Sequence, residues 1–189
     1  MSPLPPFDPI FRGVPAGVLF GGAFLLLVAF ACVSDVRARR IPNALVAVLA
    51  TAGIAFSVVR LAPLAGLGSA LSGMALGLAI WIAFYALGLL GAGDVKFFAA
   101  AAAWLGPAGA WRASLIAAAI GGVLAVGFLL RDSKLKAALH RIVLLPVARS
   151  FAVTTLQEMS NDEARRQLPY GVALGAGAVV VAMFPAVLT

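Results

Sequence analysis

Two aspartates stand where the chain makes a charge expensive. Asp94 ends the stretch Gly91-Ala-Gly93-Asp94, with long apolar runs on both sides. A carboxylate at the centre of a bilayer costs at least about 2.5–3.5 kcal/mol on insertion scales, so an acid kept there is a functional candidate once a partner is found. The partner is Asp35, at the other apolar boundary that carries an acid. Two close carboxylates cannot easily both ionise and tend to share one proton. Such a pair can hydrolyse a peptide bond. The ionised acid takes a proton from water, and the neutral one polarises the scissile carbonyl and helps protonate the leaving amine. Asp94, near the start of a helix, suits the base, because backbone N–H groups there favour negative charge. Asp35, closing a helix, suits the neutral acid, with the roles free to exchange in a coupled pair. Gly91 and Gly93 let backbone approach closely and admit unusual dihedrals, as an extended substrate needs.

Each residue also has a plainer reading. Asp35 can be a helix-end charge paired with Arg39, since most charges at a membrane boundary only mark the interface. Asp94 can cap its own helix. Lys96 reads first as an anchor for lipid phosphate, and Arg37, Arg39 and Arg40 as topology signals. Gly73 with Gly77, and Gly171 with Gly175 and Gly177, read as helix packing. The run Ala99–Ala103 reads as close packing.

The elements that must position the acids are membrane helices. Of 189 residues, 63% are hydrophobic and 11% charged, against roughly 25% charged in soluble domains. Mean hydropathy is +1.07. The apolar runs are continuous rather than alternating, which predicts an all-α polytopic membrane bundle. The single Cys32 excludes an internal disulfide and a cysteine metal cluster. The single His140 leaves a zinc hydrolase without its usual ligands, so no metal and no cofactor is expected. The net charge of +7 marks cytoplasmic loops rather than nucleic-acid binding.

Six spans are predicted, given that a bilayer core needs roughly 20 residues. They are Val14–Ser34, Ala44–Val59, Gly66–Leu90, the short Val95–Leu105, Trp111–Leu130 and Pro169–Leu188. Met1–Gly13 is a Pro-rich lead-in, and cleavage as a signal peptide is not expected, because the basic residues follow the first apolar run. Trp104 and Trp111 suit an interfacial belt. Ser133–Leu145 reads as a basic amphipathic helix on the membrane surface, within a cytoplasmic or interfacial segment 131–168. The whole of 1–189 is read as one transmembrane domain. Eleven Lys and Arg fall on one side of this layout and three on the other. The positive-inside rule puts the eleven in the cytoplasm and both termini in the periplasm. Asp35 and Asp94, separated by two spans, then share the cytoplasmic side.

Three motifs together resemble the type IV prepilin peptidase family, the Gly-x-Gly-Asp membrane aspartic peptidases. The first is Asp35, a basic stretch, then Ile41-Pro42-Asn43. The second is Gly91, Gly93, Asp94 and Lys96. The third is Pro169-Tyr170-Gly171, opening the last span. The resemblance implies catalysis by Asp35 and Asp94, a site facing the cytoplasm at the bacterial inner membrane, and cleavage of short basic leaders from prepilins, typically after a Gly preceding an apolar helix. The implied partners are the prepilin and membrane lipid, with no nucleic acid. Larger members carry an extra cytoplasmic domain with paired cysteines and N-methylate the new terminus. With only eight residues between Ser34 and Asn43 and a single cysteine, the chain is similar to the short branch linked to Flp/Tad-type pili, where methylation is not expected. Two other functions fit parts of the sequence. A small proton-coupled transporter also uses broken helices and membrane acids, and a non-enzymatic pilus or secretion assembly subunit needs no chemistry.

Overall fold

The computed structural model describes residues 10–11, 17–86, 90–131 and 170–184. The Met1–Gly13 lead-in apart from Ile10 and Phe11, the amphipathic helix Ser133–Leu145 and nearly all of segment 131–168, Pro169 and the end of the sixth predicted span lie outside the described residues. All described elements are helices: α1 Gly17–Ala38, α2 Asn43–Leu61, α3 Pro63–Ala86, α4 Ala92–Arg131 and α5 Tyr170–Met183. The first four are long and apolar enough to cross a membrane, and α5 is a shorter apolar helix.

The connections are shorter than the sequence suggests. α1 continues past Ser34, so Asp35 sits in its last turn rather than in the loop after it. The turn ends because Arg39 swings to φ 50° and its N–H bonds back to the Asp35 carbonyl at 2.8 Å, a left-handed helix cap. Pro42, extended at φ −60° and ψ 132°, then opens α2. A single residue, Ala62 at φ 76°, joins α2 to α3.

α4 departs most from expectation. The predicted turn 106–109 shrinks to one non-helical residue, Gly106 at φ 67° and ψ −179°. A straight helix of 40 residues would be about 60 Å long, twice the bilayer core. It does not run straight. Trp81 packs on Phe98, with ring centroids 5.7 Å apart, and its indole N–H donates to Ser114 Oγ at 3.2 Å. Along one straight helix those two residues would stand about 24 Å apart, beyond the reach of one indole. The halves 92–105 and 107–131 therefore fold back on each other at Gly106. Pro107 is tolerated because it restarts the helix at its first position.

Small residues let these helices approach. A Cβ on Gly73 would lie 2.5 Å from the Ala102 carbonyl oxygen, and one on Gly177 would lie 2.6 Å from that of Ala113. The packing reading of Gly73, Gly77, Gly175 and Gly177 thus holds, and Ala99 through Ala103 are all buried. Trp104 is not at an interface. It is fully buried, stacks on Phe56 with centroids 5.3 Å apart, and donates its indole N–H to the Leu49 carbonyl at 2.9 Å. Trp111 is exposed, as are Val18, Leu64 and Leu26. Large apolar side chains turned outward are what a lipid-facing surface needs. Phe11 closes the aromatic cluster at the end of the bundle away from the acids, where the Ile10 N–H bonds the Ala182 carbonyl at 3.0 Å.

Candidate active site

The opposite end of the bundle gathers the C-terminus of α1 and the N-termini of α2, α4 and α5. Asp35 and Asp94, 59 positions apart in sequence, line one cavity there of about 330 Å³. Gly91, Ala92, Gly93 and Lys96 line it from the start of α4, and Arg39, Arg40, Ile41 and Asn43 from the turn between α1 and α2 and the first residue of α2.

Asp35 is only 8% exposed. Its Oδ2 accepts the Gly171 N–H at 3.0 Å. That N–H lies in the first turn of α5, where no intrahelical carbonyl is available to it. The Gly171 carbonyl in turn accepts from Cys32 Sγ at 3.5 Å, so α1 holds both backbone polar groups of one residue. A Cβ on Gly171 would fall 2.6 Å from Asp35 Oδ2. Gly171 therefore touches one of the two candidate acids directly and is not only a helix-packing residue. The rest of its motif supports the same contact: Tyr170, half-buried, packs on α4, where a Cβ on Gly121 would lie 3.4 Å from the Tyr170 ring.

This contact removes the reason for making Asp35 the neutral acid. The carboxylate does close α1, but it faces the N-terminus of α5, whose dipole favours negative charge. Each acid thus meets a helix N-terminus, Asp94 its own and Asp35 that of α5.

Asp94 is half-buried at the third residue of α4. Its Oδ2 accepts the Gly91 N–H at 3.3 Å, the backward half of a capping box. The plainer capping reading is therefore present in the geometry, alongside the position in the cavity. The unusual dihedrals expected of the motif glycines are absent, since among described residues only Gly106 is a glycine with positive φ. A Cβ on Gly93 would meet nothing nearer than Ile41, at 3.9 Å. The space above Gly93 belongs to the cavity.

Ile41, Pro42 and Asn43 hold the two walls in register. Ile41 is buried and sits beside Gly93, and Asn43 opens α2 on the cavity rim. Ser34, which the sequence reading passed over, donates its hydroxyl to the Arg40 carbonyl at 2.8 Å and closes the turn. Its signal was present, since a serine one residue before a helix-ending acid commonly bonds nearby backbone. Lys96 is exposed on the cavity edge. Among described residues no group of three His, Cys, Asp or Glu side chains converges.

Fold and site define a helical membrane protein with two carboxylates in one polar cleft at one end of the bundle. A family model described as the type IV leader peptidase family matches residues 22–126, more than half of the chain, and the chain belongs to that family. The match contains the Asp35 and Gly91–Lys96 motifs and ends before Gly171. Membership makes the protein a leader peptidase, hence a protease, with a prepilin as substrate. No curated protein and no solved structure matches the chain.

Proposed function

We propose that the protein is an intramembrane aspartyl endopeptidase that removes the basic leader from Flp-like prepilins at the cytoplasmic face of the bacterial inner membrane. Asp35 and Asp94 act as the dyad. The observation that carries the proposal is their meeting in one cavity from the ends of two different helices. One carboxylate accepts a proton from water as the water oxygen adds to the scissile carbonyl carbon. The protonated partner polarises that carbonyl and then supplies a proton to the departing nitrogen. Gly91 and Gly93 leave room for an extended substrate backbone along the α4 wall.

The membrane arrangement is part of the proposal. With the α4 hairpin counted as two crossings and α5 as one, the chain makes six spans, with both termini periplasmic and the acids cytoplasmic. A substrate helix frays most easily at the membrane face, which suits an acid pair held at the end of the bundle and not at its middle. The fold-back of α4 supports six crossings, because 40 residues exceed one bilayer thickness twofold.

The deciding experiment is precursor processing in membranes. Wild-type protein trims a Flp-type prepilin, and Asp35→Asn and Asp94→Asn leave it uncut. Normal trimming by either variant ends the dyad reading.

A further inference from the structure

The cavity that holds the two acids also holds three cations, Arg39, Arg40 and Lys96. Once the acids share a proton, one negative charge faces three positive ones, leaving a net charge of +2. A basic leader finds no complement there. Its lysines and arginines are repelled, and the group that such a wall suits is an anion.

Hydrolysis makes such an anion. Water adds to a neutral amide, the C–N bond breaks, and the two new ends are a carboxylate on the leader and an ammonium on the apolar stem. The stem stays with its own helix in the membrane. The carboxylate is born at the acids, inside the cavity. A sphere of 330 Å³ is roughly 9 Å across, within about one Debye length at 0.1 M salt. Every cation on the wall is therefore within unscreened reach of it.

We propose that Arg40 and Lys96 form a subsite for the α-carboxylate of the cleaved leader, so that the enzyme retains this product by its cut end. The inference rests on the peptidase reading and adds to it a specificity: a peptide with a free C-terminal carboxylate binds, and its amide binds less well. Both residues line the cavity that the acids line, Arg40 from the turn after α1 and Lys96 from α4. The turn that carries Arg40 is held by the Ser34 hydroxyl, which fixes the backbone from which the guanidinium projects.

The test uses the full-length protein in detergent micelles and a short basic peptide ending in glycine, labelled at its N-terminus. Fluorescence anisotropy compares the free acid with the C-terminal amide. The acid is expected to bind about tenfold tighter, the size of one charge-assisted contact. In an Arg40→Gln/Lys96→Gln double variant the ratio falls to about one, while Lys96→Arg, which keeps the charge, preserves it. Equal binding of acid and amide to wild type, or a preference that survives the double variant, overturns the subsite. Prepilin processing by the same preparation is scored separately. Processing with equal affinities removes the subsite alone, whereas an acid preference without processing removes the peptidase reading, and with it the product as the ligand.

Discussion

At the scale of single residues, the two acids are held by one kind of contact used twice. Each carboxylate accepts a backbone N–H near a helix start, Asp35 from Gly171 and Asp94 from Gly91. For Asp94 this makes capping and chemistry separable by substitution. In Asp94→Asn the amide oxygen can still accept the Gly91 N–H, so the helix start survives while the ionisable group is lost. Asp94→Ala loses both, and its thermal stability is expected to fall below that of Asp94→Asn by about 1 kcal/mol, the usual worth of a cap, with both variants inactive in precursor processing. Glycine positions give a second contrast. Gly171→Ala drives a methyl to within 2.6 Å of Asp35 Oδ2, and either α5 or the carboxylate has to move. Processing is expected to fall at least about tenfold, the loss of one charged hydrogen bond. Gly93→Ala, with 3.9 Å of clearance, keeps the thermal midpoint of the wild type.

At the scale of elements, the α4 hairpin decides where Asp94 lies. Gly106 occupies backbone space that is essentially glycine-only, and a Cβ there would also lie 2.7 Å from Ser69 Oγ. Gly106→Ala is expected to cost about 1–3 kcal/mol and to lower the thermal midpoint by several degrees, measured by tryptophan fluorescence, since Trp104 sits two residues away in the core. The helices themselves were legible in the sequence, because continuous apolar runs leave the backbone no alternative in lipid. So was the shared end of Asp35 and Asp94, because an even number of spans separates them. The positions of the breaks were less so. Gly106-Pro-Ala-Gly109 carries three turn-forming residues, but only the first needs a non-helical dihedral, and the helix resumes at once. The caps made by Arg39 and Ala62 were hidden, since neither residue type favours positive φ. Trp104 misled for a simple reason: an indole that can find a carbonyl, here that of Leu49, buries as readily as it lies at an interface. The contact of Gly171 with Asp35 joins residues 136 positions apart, and no local pattern encodes it.

At the scale of the whole molecule, the bundle is polar at one end and aromatic at the other. The site end carries Asp35, Asp94, Arg39, Arg40 and Lys96 around the cavity, while the far end is closed by Phe11, Phe24, Phe56 and Trp104. This polarity suits a water-dependent reaction in an apolar chain: the cavity is lined by charged residues at one end, and the aromatic rings pack on each other away from it. It also makes sidedness testable without any substrate. In a Cys32→Ser background, single cysteines replace Ala38, beside the site, and Leu64, which is 86% exposed at the far end. The excess of cations at the site end predicts that this end faces the cytoplasm. A membrane-impermeant maleimide should then label Leu64→Cys in right-side-out spheroplasts and Ala38→Cys only in inverted vesicles. The reverse pattern would put the acids in the periplasm, where a basic leader retained on the cytoplasmic side by the same charge rule could not reach them, and the leader-cleaving orientation would have to be abandoned.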